Sequence, residues 1–190
     1  MAENSITYFD TPGHMNTDRT LDLAIRYARS SNIRKIVVAS TKGDTAKSLM
    51  GRSDLDGLSV TIVTHAFGQT GPGSNPMPND LRDELRKKGF ELCSAAHALS
   101  GAERSLSTTF GGVYPIEIIA HTLRMFGQGM KVCVEIAAMA TDAGLVIGGE
   151  PIIAIGGTIR GADTAAVLRP APSSKILDTK VNRIICMPIE

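Results

Sequence analysis

From Val37 to Ala46 the chain reads Val-Val-Ala-Ser-Thr-Lys-Gly-Asp-Thr-Ala. An apolar run suited to a buried strand gives way to hydroxyls, a basic residue and a glycine. A short apolar-periodic segment (Ala46, Leu49, Met50) follows directly. Strand, glycine loop and helix start aim backbone N–H groups and the positive end of a helix at one spot. Ser40, Thr41 and Thr45 add hydroxyl donors, Lys42 adds a positive charge, and Gly43 with Asp44 completes the turn. The chemistry that suits such a loop is retention of a phosphate or carboxylate. The spacing is not that of a P-loop, and it lacks the three spaced glycines of a dinucleotide turn. The alternative is a plain turn at Gly43 with Asp44 or Thr45 capping a helix.

A second loop of this kind is Gly156-Gly157-Thr158-Ile159-Arg160-Gly161-Ala162-Asp163-Thr164. It joins two strand-like runs, 151–155 and 165–168. Successive N–H groups in such a glycine-rich nest hold anions, although a simple glycine hairpin would look the same. Together the two loops point to a phosphorylated small molecule. Thr64 and His65 end the apolar run 60–63, at the carboxyl end of a strand, where ligands of open α/β sheets bind. Glu135 stands inside 132–140, a segment apolar on nearly every side. A carboxylate there needs a partner. Lys131 or an arginine could supply it, or Glu135 could accept from a ligand hydroxyl or ring N–H. His65, His97 and Glu135 are the acid–base candidates of an enzyme reading. No order of nucleophile, base and orienting group is legible around them.

The elements that must position these residues alternate between strand and helix. Residues 6–9 read as a strand closed by Pro12-Gly13. Asn16 or Thr17 then caps a helix with Leu21, Ala24, Ile25 and Ala28 at helical spacing. Arg34 to Ala39 is a strand buried on both faces. Residues 66–79 hold three glycines and three prolines (Gly68, Gly71, Pro72, Gly73, Pro76, Pro78) and form a long loop, either a lid or a surface excursion. Asp80 to Lys88 is a helix whose Arg82, Asp83, Glu84, Arg86 and Lys87 read as a solvated face. Residues 90–93 return as a strand. Ser100 and Glu103 have capping-box spacing, Pro115 opens a further helix that stops at Gly127, and 183–187 forms a last strand. Alternation of this sort predicts an α/β fold with a mostly parallel sheet.

Bulk properties narrow the function classes. The 190 residues are 43% hydrophobic and 21% charged, as expected of one globular domain spanning 1–190. A net charge of +1 and 4% aromatic residues without tryptophan argue against nucleic acid. No apolar run approaches the ~20 residues that cross a bilayer. Met1 to Asp10 lacks a basic region followed by an apolar stretch. The three cysteines (Cys93, Cys133, Cys186) are widely spaced in apolar surroundings and form no CxxC pair. The expectation is a cytoplasmic protein with buried thiols and no metal site.

The two loops also carry a resemblance. Residues 39–46 resemble the loop with which the C-terminal domain of pyruvate kinase grips the phosphate of its sugar-bisphosphate effector, and 156–164 resemble its later effector loop. The whole chain is similar to stand-alone pyruvate kinase C-terminal-like proteins of archaea and some bacteria. That likeness runs through His97-Ala98-Leu99-Ser100-Gly101, Met125-Phe126-Gly127-Gln128-Gly129 and Lys131-Val132-Cys133-Val134-Glu135-Ile136. It implies a three-layer α/β/α sandwich and FMN as ligand, because relatives of this type are found with it. On the same basis Ser40, Thr41, Lys42, Gly43, Asp44 and Thr45 would hold the phosphate. Gly157, Thr158, Asp163 and Thr164 would close the other side, with Thr64, His65, Gly101 and Glu135 completing the set. The loop around Phe67 would cover the flavin ring. Kinase activity is not implied, since nothing here resembles the barrel that carries it. Gly157-Thr158 stands where the kinase has an aromatic residue, which favours a ligand other than a sugar bisphosphate. A regulatory or homo-oligomer-forming module is the further alternative that the kinase analogy implies.

Overall fold

A computed structural model describes residues 5–189. Seven strands form one sheet: β1 (Thr7–Phe9), β2 (Lys35–Ala39), β3 (Ser59–His65), β4 (Glu91–Ala95), β5 (Ile152–Gly156), β6 (Thr164–Arg169) and β7 (Lys180–Pro188). Their order across the sheet is β1-β7-β6-β5-β2-β3-β4. Pairings are parallel except where β6 meets β5 and β7, so β6 alone runs against the rest. The helices are α1 (Thr17–Ser30), α2 (Asp44–Leu49), α3 (Asn79–Lys87), α4 (Gly101–Phe110), α5 (Pro115–Arg124) and α6 (Gln128–Asp142).

Side-chain alternation along the strands splits the core into two layers. Ile36 and Val38 of β2, Val60 and Ile62 of β3, and Ile153 and Ile155 of β5 face Leu21 and Ile25 of α1, Leu49 of α2 and Leu81 and Leu85 of α3. Val37, Val63, Ile152 and Ala154 point the other way, onto Cys133, Ile136, Ala137 and Ala140 of α6. The strands at the centre are therefore buried on both faces, and the expected three-layer α/β/α arrangement is present. All three cysteines are buried free thiols, and burial pushes each of them up from its ordinary pKa.

Several local expectations give way to tertiary contacts. Neither Asp44 nor Thr45 caps α2; Gly43 occupies the cap position at φ 103°, and the Ser40 hydroxyl accepts the Ala46 N–H at 3.2 Å. Asn16 and Thr17 likewise place their side chains elsewhere, on the Thr11 and His14 carbonyls. Helix α4 does begin after Ser100, but no capping box forms there. Instead Glu103 accepts the N–H of Ile116 at the start of α5. Arg82 is not part of a solvated face. It is buried, donates to the Ser94 hydroxyl at 2.9 Å, and lies 5.0 Å from the centre of the Phe67 ring. Arg82 lies on the turn of α3 that faces β4, so its long side chain is covered rather than hydrated.

Candidate functional site

The chain order places a cleft before any side chain is considered. From β2 the strands run outward through β3 to β4, and from β5 they run the other way through β6 to β7. The adjacent pair β2 and β5 is thus the point where the order reverses. Ligands of doubly wound sheets sit outside the carboxyl ends of strands at such a point. A cavity of about 400 Å³ lies there, lined by the carboxyl ends of β2, β3 and β5 and by one face of α6. That size is within the range of small-molecule pockets.

One wall is the loop after β2. Ser40, Thr41, Lys42, Asp44 and Thr45 line the cavity. The loop is held against β3 by the Ser40 amide on the Val63 carbonyl (2.9 Å) and the Thr64 hydroxyl on the Thr41 carbonyl (3.0 Å). Gly43 does not line the cavity but shapes the wall. Its φ is positive, and a Cβ there would run into the side chain of Leu81.

Thr64, His65 and His97 form the second side. Thr41 Oγ1 is 3.2 Å from His65 Nε2, and the His65 and His97 rings meet edge to face at 4.6 Å. Burial, reinforced by the neighbouring His97, lowers the pKa of His65. His97 in turn sets its Nδ1 3.4 Å from Glu135 Oε2.

Glu135, with 3% of its surface exposed, has Lys131 rather than an arginine as its protein counter-charge. Lys131 donates to Oε2 at 2.6 Å and the Leu99 N–H donates to Oε1 at 3.1 Å. Burial alone would raise its pKa, but the His97 and Lys131 donors outweigh that and hold the carboxyl down at about 2. Burial lowers the pKa of Lys131, against the pull of Glu135.

The β5–β6 loop closes the remaining side through Gly157, Ile159, Arg160 and Gly161. Thr158, Asp163 and Thr164 stand behind it. Asp163 is fully buried and accepts the Gly13 and Thr158 N–H groups and the Thr164 hydroxyl. Its carboxylate is consumed by the scaffold rather than presented to the cavity. The Thr158 hydroxyl oxygen is buried with no hydrogen-bond partner among the described residues. Ile159 adopts φ 62°, a strained conformation for a β-branched residue, and leaves 97% of its surface exposed. Gly101 begins α4 and donates to the His97 carbonyl, outside the cavity lining. Phe67 packs on Arg82 rather than over the cavity; apolar cover comes from Val63, Val132, Ile136 and Met139.

Arg160, the arginine of the second candidate anion loop, lines the cavity, and so do Arg104, Arg124 and Gln128, which the sequence did not single out for the site. Arg124 Nε donates to Gln128 Oε1 at 2.8 Å. The cavity thus presents five cationic side chains (Lys42, Arg104, Arg124, Lys131, Arg160) against two carboxylates (Asp44, Glu135). The signal in sequence was slight: Arg124 and Gln128 are four apart across the α5–α6 junction, a spacing common to any helix. Among the described residues no group of His, Cys, Asp and Glu is arranged to hold a metal ion, and no helix is long and apolar enough to cross a membrane.

Three solved structures of pyruvate kinase from Cryptosporidium parvum match the chain. One covers 78% of this chain at 14% identity with a TM-score of 0.37. A second covers 85% at 13% identity and 0.38. The third, a complex with ADP, covers 79% at 15% identity and 0.36. The matched region spans 21–23% of those kinases, so this chain matches only about a fifth of their length. The family profile described as the pyruvate kinase alpha/beta domain matches residues 18–168, and the chain belongs to that family.

Proposed function

We propose that the domain binds a phosphorylated small molecule in this cavity, with FMN as the ligand. The observation that carries the proposal is the excess of five cationic side chains over two carboxylates at the topological switch point of the sheet. The residues present fit FMN. Thr41, Lys42 and Thr45 offer hydroxyls and a charge to a phosphate, and Val63, Val132, Ile136 and Met139 offer apolar cover to a flat ring. The strained Ile159, which lines the cavity, supports a role for the β5–β6 loop in gripping the ligand. Glu135 keeps one acceptor position free on Oε1 for a ligand hydroxyl or N–H. Bound FMN would supply hydride and electron transfer.

The test is the visible absorbance spectrum of freshly purified protein, followed by denaturation and identification of what is released. Flavin bands with free FMN in the supernatant are expected. Thr45→Val and Lys42→Gln are expected to weaken FMN retention about tenfold each, the worth of a charge-assisted hydrogen bond. A colourless protein that takes up no added FMN would remove the flavin, and unchanged retention in both variants would remove the loop as the phosphate seat.

A second reading, an acid–base enzyme acting on a phosphorylated substrate, is favoured by one contact. Glu135 fixes His97 through Nδ1 at 3.4 Å, which is how a carboxylate orients a general base. His65 is placed differently, on Thr41. His97→Ala is expected to abolish any turnover while leaving FMN retention intact. Loss of both together would make His97 a binding residue.

A further inference from the structure

The cations of the cavity arrive from two sides of the sheet. Lys42 belongs to the loop that leads into α2, in the layer with α1 and α3. Arg104, Arg124 and Lys131 belong to α4, α5 and α6 in the opposite layer. A single phosphate seated on the 40–45 loop leaves Arg104 and Arg124 uncompensated, while Lys131 is paired with Glu135. Among the described residues neither Arg104 nor Arg124 forms an ion pair. The one carboxylate on that wall, Glu135, is already shared between Lys131 and His97.

We propose that Arg104 and Arg124, beside the Glu135-paired Lys131, form a second anion subsite in the same cavity, which takes a phosphate or carboxylate of its own in addition to the phosphate seated on the 40–45 loop. This rests on the phosphate reading of the 40–45 loop given above. Like charges lining one cavity repel one another unless something negative lies between them. That repulsion is felt within the protein: after burial and the opposing pull of Glu135, both Arg124 and Arg104 push Lys131 toward its neutral form. Arg104 also acts on His65 in the same sense. Nothing in the apolar packing explains the arginines, because no residue of α4 is buried and Ala120 alone is buried in α5. Arg124 is pre-oriented by Gln128, with Nε engaged and the outer guanidinium nitrogens left to donate. A planar guanidinium so held suits a carboxylate or phosphate bidentately.

The test uses inorganic phosphate as probe and NMR as the readout. Backbone amides of 41–45 report the first seat, and the side-chain N–H signals of Arg104 and Arg124 report the second. In the wild-type protein both sets are expected to move on titration. In Lys42→Gln the loop shifts should shrink several-fold while the arginine shifts persist. In the double variant Arg104→Gln/Arg124→Gln the loop shifts alone should remain. Neither arginine belongs to the buried core clusters, so that variant is expected to keep its fold. Loop amides that move while the arginine signals stay still would overturn the second subsite and leave the phosphate seat standing. Arginine signals that move over a silent loop would support the subsite and remove the phosphate seat. Silence in both sets overturns both, and joint loss of both sets in either variant means one shared site and overturns the subsite.

Discussion

A carboxylate that accepts the Leu99 amide on one oxygen and both Lys131 and His97 on the other has little tolerance for losing its charge. Glu135 titrates at about 2 in the fold against an ordinary 4.5. A depressed carboxyl stabilises the fold above its unfolded value and ceases to do so as pH falls through the folded one. Acid unfolding monitored by circular dichroism should therefore steepen between about pH 4.5 and 2 in the wild type and less so in Glu135→Gln. At neutral pH, Glu135→Gln leaves the buried Lys131 without its counter-charge, at a cost of about 3–5 kcal/mol in urea unfolding. Glu135→Gln/Lys131→Met should lose less than Glu135→Gln alone, and additive losses would show that the pair is not coupled. The residues themselves told part of this. A glutamate in an apolar helix demands a partner, and Lys131 four residues earlier was within reach of helical spacing. The contributions of His97 and Leu99 were not legible, because a contact across 36 positions leaves no local pattern.

At the scale of elements, legibility followed burial. Helix α6 was visible as an all-round apolar segment because it covers the sheet centre, and the β5–β6 pair was visible as two apolar runs around a glycine loop. Helices α4 and α5 announced their starts, and in α5 the residues at helical spacing on one face, Ile116, Ile119, Ala120 and Leu123, are partly or fully covered. Leu106, Phe110, Ile118 and the nearby Met125 are exposed. The consequence is an unequal stability map. Leu21→Ala in α1 should cost about 2–5 kcal/mol by removing fully buried methyls. Phe110→Ala at the end of α4 should fall within about 0.5 kcal/mol of wild type. Gly43→Ala belongs with the costly group despite its small size. It combines a positive φ with a collision against Leu81, and a loss of about 1–3 kcal/mol is expected. Urea midpoints for the three variants, at constant slope, would check all of this.

For the molecule as a whole, alternating strand and helix gave the layer architecture but not the strand order. No strand carries the identity of its neighbour in its own side chains. The excursion through α4, α5 and α6 is what carries the chain from the edge strand β4 back to the centre, where β5 joins β2. That return creates the switch point, and it also brings α4 and α5 to the wall of the cavity through Arg104 and Arg124. A group bound between the 40–45 loop and these arginines would tie the α4–α5 pair to the sheet, and any ligand of the native state adds stability by mass action. Hydrogen exchange should show α4 amides far less protected than those of α6 in the free protein. Saturating FMN should raise protection in the 40–45 loop, in agreement with the phosphate seat, and leave α4 largely as it was if FMN reaches only that seat. A ligand anionic at both ends should protect α4 as well, because only such a ligand pairs with both walls at once. Protection of α4 by FMN to the same extent would mean that one phosphate serves both layers.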